Sequence, residues 1–590
     1  MKNKTWRRIK DMMKPHMKTI IIVTILAIFI DIIALTKPYL VRTVIDEFLN
    51  KGTSIQKNIN ILGITFENIS ITIIAIIYIG MVLLENFLEY FNSTRTSMLG
   101  ENVVFEIRNK LYSYMEKANI SFHDKVPSGT LFVRIISDSE DILALFSEVI
   151  TTFVKDILII LGLLVVMCVL SYKLASVSLI IIPLIVISSW ILTKILNKIY
   201  AAVKDVRTKL NIFFAESIYG IKLIKIFNRQ KEKQEECENI TEEFRRTIKP
   251  MGFYQGLLPA IMSLIENLGV AIIVWFVTFK ITGEDLDVGI VYMFITYLKN
   301  LFDPINRIIE NIEIVEEAVT SIDKIYEIIE KDELVEDFDN GQKIERLKGK
   351  IEFKNVWFAY EGENWILKDV SFVIEPGQSV ALVGKTGSGK TTITNLINRF
   401  YTIQKGEILI DGINIYDINL TDLRRNIGTI LQDPFIFAKS IKDNVKLFND
   451  IDDSKIEESI ELSSASKFVN SLEHGIDEIA KERGSSFSAG EKQLLAFARI
   501  FALNPSVFIL DEATANIDTT TEQLVQKSVD KLSADKTSIF IAHRLATIVN
   551  VDKIIVLSNG EIVEQGNHEQ LVKSGGYYSK LYKAYYNSLV

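Results

Sequence analysis

The chain has 590 residues, 48% hydrophobic and 24% charged, with a formal net charge of −8. That length exceeds one hydrophobic core, so two or more domains are expected, and the acidic balance excludes a general nucleic-acid binder, which carries a basic patch or an elevated pI. Two cysteines, Cys168 in an apolar run and Cys237 in a charged stretch, exclude a disulfide framework or thiolate zinc site, and the five histidines show no ligand spacing, so no structural metal is expected.

The first eighteen residues are basic, and the stretch after them lacks the short apolar core and small-residue cleavage site of a signal peptide, so none is expected. Six apolar segments precede residue 325, at 20–39, 71–90, 154–170, 174–196, 257–279 and 290–309. A bilayer core needs about 20 helical residues. The first, third and fourth segments are clear spans. The other three carry polar residues, and each alone also reads as a buried core helix; six at these spacings read as a membrane domain. Lys and Arg concentrate before the first span (Arg7, Arg8, Lys10) and between the fourth and fifth (Lys204, Arg207, Lys222, Arg245), whereas the opposite loops are short or poor in base. Both termini are therefore expected on the cytoplasmic side of a multi-pass protein of the cell membrane.

The two cytoplasmic connections, 91–150 and 197–256, are long, polar and helical in pattern. Each half of such a loop carries its helix roughly 35–40 Å below the membrane at 1.5 Å per residue, which suits contact with a cytoplasmic motor. Asp31, Glu85, Glu266 and Lys299 fall within or near apolar runs. Intramembrane charge is expensive and faces a cavity or a partner. Asp31 and Glu266 either bias a pathway toward cationic substrates, or pair with each other or with Lys299, or lie near an interface.

Beyond a charged linker the pattern changes to short β-rich runs, glycine turns and helices, an α/β reading. Ser379–Val383 is a buried strand running into Gly384-Lys385-Thr386-Gly387-Ser388-Gly389-Lys390-Thr391, which opens a helix at Thr392. Strand, loop and helix together are the context of a phosphate-binding loop. Its glycines let backbone amides face the β- and γ-phosphates, and the helix N-terminus adds partial positive charge. Lys390 is expected on those phosphates and the Thr391 hydroxyl on Mg²⁺. A second apolar strand, 507–510, ends in Asp511-Glu512. Asp511 is expected to hold Mg²⁺, directly or through water, and Glu512 to polarise the attacking water.

Between these two strands lies Phe487-Ser488-Ala489-Gly490-Glu491-Lys492-Gln493. In that position it resembles the signature motif of ATP-binding-cassette proteins, Leu-Ser-Gly-Gly-Gln, and the resemblance extends over nearly the whole chain. Tyr360 looks like the aromatic that stacks on adenine, the other reading being an ordinary strand-end tyrosine. Gln432 resembles the Q-loop glutamine, which touches Mg²⁺ or water; Asp518 matches the D-loop, and His543 the switch histidine on the γ-phosphate. Residues 122–129 and 216–222 are similar to the turns of the two intracellular loops of exporters, 300–305 to their sixth span, and 482–484 to the segment before the signature that senses the membrane arms. Trp6, Arg7 and Arg8 sit where the family has an interfacial helix; a solvated tail is the alternative.

The resemblance implies a multi-domain membrane protein: an all-α, six-helix transmembrane domain of exporter type, followed by an α/β P-loop nucleotide-binding domain. The expected divisions are an interfacial helix at 1–18, the transmembrane domain at 19–325, a linker at 326–348 and the nucleotide-binding domain at 349–590. It implies Mg²⁺-ATP hydrolysis driving export of a small amphipathic or hydrophobic substrate by alternating access, with the bilayer and a second half-transporter as partners and no nucleic acid. In the family, Ser488, Ala489, Gly490 and residue 491 reach ATP held by the other subunit. Here Glu491 replaces glutamine, which removes an amide donor and adds charge near a polyanion, costing about 2 kcal/mol per unit phosphate charge at roughly 8 Å and an effective dielectric near 20. With Lys390, Gln432, Asp511, Glu512 and His543 all present, the chain looks like the catalytically complete half of a heterodimer. A homodimer that tolerates Glu491, an importer on the same fold, and an ATP-gated regulatory protein are the alternatives.

Overall fold

The computed structural model describes residues 2–49, 56–61, 64–279, 287–330, 340–511, 519–541 and 548–587. Two compact units emerge, one of residues 1–116 and 128–332, the other of 117–127 and 333–590.

The first unit is helical: α1 (Lys2–Met13), α2 (Met17–Val44), α3 (Ile71–Lys117), α5 (Ser128–Ile135), α6 (Ser137–Ala144), α7 (Ile150–Leu170), α8 (Tyr172–Tyr219), α9 (Ile221–Ile226), α10 (Gln230–Thr278), α11 (Val288–Asn300) and α12 (Phe302–Ile329), with α4 (Ile120–Lys125) grouped in the second unit. A two-stranded hairpin, β1 (Gln56–Ile61) and β2 (Ile64–Ser70), joins α2 to α3; hydropathy alone carries no sign of it. Among the described residues five helices are long and apolar enough to cross a membrane. The sixth apolar segment is divided at Leu301 between α11 and α12. Helices α3, α8 and α10 have 47, 48 and 49 residues, about 70 Å each, more than twice the ~30 Å hydrocarbon core. Their apolar ends are long enough to cross a bilayer and their charged ends continue beyond it as helix.

Helix α1 is no solvated tail. Thr5, Ile9 and Met12 are buried, and Arg8 reaches the far end of α12, bonding Asp323 at 2.6 Å and Glu330 at 2.8 Å with its guanidinium 4.8 Å over the Tyr326 ring. Lys4 adds a second bond to Glu330 at 2.6 Å. The core joins α7, α8, α10, α11 and α12 through Leu163, Met167, Leu174, Ile185, Ile273, Phe294, Leu298 and Ile305. A Cβ on Gly269 would lie 2.9 Å from Ile181 and 3.0 Å from Leu298, so the absent side chain is what lets α10 approach its neighbours.

Intramembrane charge is mostly paired across helices. Glu266 binds Lys299 at 3.1 Å, Arg307 binds Asp156 at 2.6 Å, Lys155 lies 3.6 Å from Glu89, and Glu85 pairs with Lys37. Among the described residues Asp31 alone of the four that interrupt the apolar runs has no ion pair: it is 6% exposed, and its Oδ2 has no hydrogen-bond partner.

The second unit holds two sheets. A six-stranded sheet has the order β12 (Glu561–Gly566), β11 (Lys553–Ser558), β5 (Ser379–Val383), β10 (Thr537–Ile541), β9 (Val507–Asp511), β8 (Ile427–Ile430), and all neighbours are parallel except β12 with β11. A four-stranded antiparallel sheet has the order β4 (Leu367–Ile374), β3 (Ile351–Phe358), β6 (Lys405–Ile410), β7 (Ile413–Asn414). Strand β9 shows why its apolar run is continuous: Val507 and Ile509 enter one core cluster, Phe508 and Leu510 the other. A parallel strand covered on both faces needs apolar residues at every position.

Candidate nucleotide site

The parallel register collects the expected site on one edge of the sheet. Ile541 of β10 pairs with both Leu382 of β5 and Asp511 of β9, and Ile430 of β8 pairs with Leu510. Gly384, Asp511 and Gln432 therefore lie at or within two residues of aligned C-terminal strand ends, the edge where open α/β sheets bind ligands. Glu512, Asp518 and His543 lie outside the described residues; Glu512 directly follows the end of β9, and β10 ends two residues before His543.

The loop from Gly384 to Thr391 has the geometry its glycines suggest. Gly389 caps helix α13 (Lys390–Ile397) at φ +104°, where a Cβ would be strained and 2.5 Å from Leu367. Lys390 is buried and folds back over the loop, donating from Nζ to the carbonyls of Gly384 at 2.9 Å and Lys385 at 3.2 Å. Ser388 is buried with its Oγ unpartnered among the described residues, while Lys385, Thr386, Gly387 and Thr391 are exposed. A helix N-terminus, a cationic amine and a turn of exposed backbone fit a polyphosphate. Thr392 points elsewhere: it is buried, and its Oγ1 lies 3.2 Å from the Tyr360 hydroxyl.

Tyr360 is 42% exposed, as an adenine platform requires. Its ring stands edge-on to Phe358 and Tyr401, both at 4.9 Å. A cavity of about 400 Å³ beside it is lined by Tyr360, Glu361, Asn364, Tyr401 and, from α4, Asp124 and Lys125. The Tyr401 hydroxyl bonds the Asp124 carboxylate; burial and that carboxylate together push the phenol above its usual range, so it stays protonated and donates. No local sequence pattern links the two, which are separated by 277 positions.

The signature segment opens helix α14 (Ala489–Leu503). Ser488 is its N-cap, and Glu491 completes a reciprocal box: Glu491 N–H donates to Ser488 Oγ at 3.3 Å and Ser488 N–H to Glu491 Oε2 at 2.8 Å. Glutamine fills that position equally well, so residue 491 has a structural role that the change to glutamate preserves. The carboxylate is directed at the amides of its own helix, where the dipole favours negative charge. Gly490 is buried in the first turn.

The region between Gln432 and the signature is bound tightly together. Arg499 of α14 donates to the Asn444 carbonyl at 2.7 Å, the Phe435 carbonyl at 2.7 Å and Asn444 Oδ1 at 2.9 Å. A Cβ on Gly484 would lie 2.9 Å from Ile436, so the 482–484 segment packs on the same loop. That loop also exposes Phe435, Phe437 and Phe448, whose rings contact one another. In the first unit, the ends of α8 and α9 expose Tyr219 at 90%, Ile226 at 77% and, just after α9, Phe227 at 65%.

Residues 20–305 match the family model for the ABC transporter transmembrane region and residues 367–515 the model for the ABC transporter. An ATP-dependent lipid A-core flippase of Haemophilus influenzae is 32% identical over 98% of this chain and 96% of its own length. A multidrug resistance-like ATP-binding protein of Buchnera aphidicola is 33% identical over 95% of this chain and 94% of its own. A bacterial Atm1-family ABC exporter solved with ATP bound superposes with a TM-score of 0.77 at 22% identity, covering 97% of this chain and 98% of that one. The chain belongs to the ABC transporters: it has the exporter fold, a helical membrane domain followed by a nucleotide-binding domain, and couples ATP hydrolysis to transport.

Proposed function

We propose that the chain is half of an exporter of the cytoplasmic membrane, moving a small amphipathic or hydrophobic substrate outward by alternating access, with transmembrane residues 19–325 and a nucleotide-binding domain at 349–590. The carrying observation is the preformed phosphate loop, with Lys390 held by Gly384 and Lys385 beside exposed backbone, on a sheet edge that also gathers Asp511 and Gln432. Tyr360 stacks on adenine; Gly384 to Thr391 surround the phosphates, with Thr392 behind them against Tyr360; Glu512 positions water and His543 contacts the γ-phosphate. Thr391, Asp511 and Gln432 carry the hard oxygen donors that suit Mg²⁺, which when bound supplies charge neutralisation on the phosphates. ATP-dependent accumulation in inside-out vesicles, absent in right-side-out ones, tests the direction; accumulation in right-side-out vesicles alone makes the chain an importer.

Two surfaces support a dimer. The apolar tip at Tyr219, Ile226 and Phe227 and the aromatic patch at Phe435, Phe437 and Phe448 are each exposed in water-facing positions, where apolar patches mark interaction sites. A second subunit burying both also brings its own signature to the phosphate loop and receives Ser488, Ala489, Gly490 and Glu491 in return, with Asp518 at the seam. The second subunit is a different half-transporter with a regular signature, because Glu491, although its side chain closes its own capping box, adds to the signature turn a negative charge that glutamine lacks. Robust, substrate-stimulated hydrolysis by this chain purified alone would make it a homodimer instead.

A further inference from the structure

The cavity beside Tyr360 is a compartment distinct from the phosphate loop. Its volume of about 400 Å³ falls at the small end of the roughly 300–1,000 Å³ typical of ligand pockets, and none of residues 384–392 lines it. The two are still held in fixed relation, because the Tyr360 hydroxyl lies 3.2 Å from Thr392 Oγ1 in the first turn of α13. A nucleotide whose phosphates occupy that loop and whose base stacks on Tyr360 therefore sends the base into the cavity. The edge farthest from the ribose reaches deepest.

Part of the cavity wall comes from the other half of the sequence. Asp124 and Lys125 belong to α4, in the loop between α3 and α5, which groups with the second unit. Local sequence makes α4 a firm mount: Asn119 caps it, accepting from Phe122 N–H at 3.1 Å, and Phe122 is buried. Tyr401 then fixes the carboxylate. Its ring stands edge-on to Tyr360 at 4.9 Å and its hydroxyl donates to Asp124 Oδ2. Asp124 Oδ1 and the Lys125 ammonium have no protein partner among the described residues.

Charge and hydrogen-bonding character narrow the occupant. Among the described lining residues two carboxylates, Asp124 and Glu361, outweigh one cation, Lys125. That balance repels phosphate and suits an uncharged ring bearing an amine. An ionised carboxylate only accepts and an ammonium only donates. Side by side they complement the exocyclic amine and the adjacent ring nitrogen of a 6-aminopurine.

We propose that α4 completes the base pocket: Asp124 accepts from the 6-amino group of adenine, Lys125 donates to ring N1, and Tyr401 is the positioning residue for both Asp124 and the Tyr360 platform. It rests on the reading of Tyr360 as the adenine platform and names the groups that select the base.

The test is equilibrium binding of three probes to the full-length chain in the dimer it forms, with EDTA present so that nothing is hydrolysed. The probes are ATP, purine riboside triphosphate (ATP without its amine) and inorganic tripolyphosphate. The wild type binds ATP roughly tenfold or more tighter than the purine riboside triphosphate, as one hydrogen bond to a charged group implies. Asp124→Ala removes most of that preference. Tyr401→Phe keeps the ring but frees the carboxylate, and reduces the preference. Both variants bind tripolyphosphate as the wild type does, which a merely structural defect would not preserve. Equal wild-type affinity for the two nucleotides overturns the proposal without any variant having to fold, and so does an undiminished preference in Asp124→Ala. Tyr360→Ala weakens both nucleotides and spares tripolyphosphate. ATP affinity untouched by that change overturns the platform and the proposal together, whereas a wild type that needs Tyr360 but ignores the amine overturns the proposal alone.

Discussion

Arg499 offers the sharpest check on how the signature helix is held to the loop after Gln432. Its guanidinium donates to three acceptors, at 2.7, 2.7 and 2.9 Å, on Asn444 and Phe435. Burial lowers its pKa to about 10, still well above neutrality, so the charge persists. Replacing it with methionine keeps the length and apolar stem and removes all three charge-assisted bonds. Each is worth about 1.5–3 kcal/mol, and orphaning a buried carbonyl costs about 1–3 kcal/mol; because the bonds share one side chain, the losses do not add. A net loss of about 3–5 kcal/mol is expected. For a domain of this size 1 kcal/mol shifts Tm by about 2–4 °C, so the nucleotide-binding unit of Arg499→Met unfolds at least ~6 °C below wild type in scanning fluorimetry of the full chain. Arg499→Lys, which reaches fewer acceptors with a rounder charge, falls between. Because Phe435 begins the exposed aromatic patch, substrate stimulation of hydrolysis falls further than ATP affinity does. A Tm within about 2 °C of wild type for Arg499→Met would refute the reasoning.

Three further outcomes come from other parts of the molecule. Burial lowers Lys536 to about 8, so the folded state binds its proton less readily than the unfolded chain and stability should rise as pH climbs from about 8 to about 10.5; Lys536→Met should flatten that rise, and identical pH profiles for the two would contradict it. Cysteine labelling should reach positions near Lys51 and Gly283 only from outside and positions near Lys125 and Lys222 only from inside; outside-only labelling at Lys222 overturns the orientation. Glu491→Gln should leave the helix Tm unchanged, since either side chain closes the capping box, and should change hydrolysis by the complex only modestly; complete loss of hydrolysis would place Glu491 in the hydrolytic site.

The nucleotide site is legible in sequence because its chemistry is local. Five apolar-rich strand residues followed by glycines and a Lys-Thr pair dictate a strand, a turn and a helix, and the structure places each where that order implies. The box at Ser488 and Glu491 also obeys a short-range rule, Ser-x-x-Glu at a helix start, although residue 491 draws attention first as a departure from a family pattern. Long-range pairings leave no such trace. Arg307 finds Asp156 across 151 positions and Tyr401 finds Asp124 across 277, and hydropathy registers only that a charge interrupts an apolar run. Sequence therefore isolates Asp31, Glu85, Glu266 and Lys299 as a group, while only the packing of α2 against α3 and of α10 against α11 separates the paired members from the unpaired one. Helix α1 shows the same limit: its basic residues read as a leaflet-facing surface, yet Arg8 is engaged by Asp323 and Glu330.

The central claim is that hydrolysis at this chain's own site drives outward movement of substrate. It is tested most directly by measuring ATP turnover and substrate accumulation together in inside-out vesicles carrying the complex, for the wild type and for Glu512→Gln. The account predicts that the variant still binds ATP but loses most of both turnover and accumulation, because the attacking water is no longer positioned. Near-normal turnover, or accumulation that persists without it, would contradict the claim.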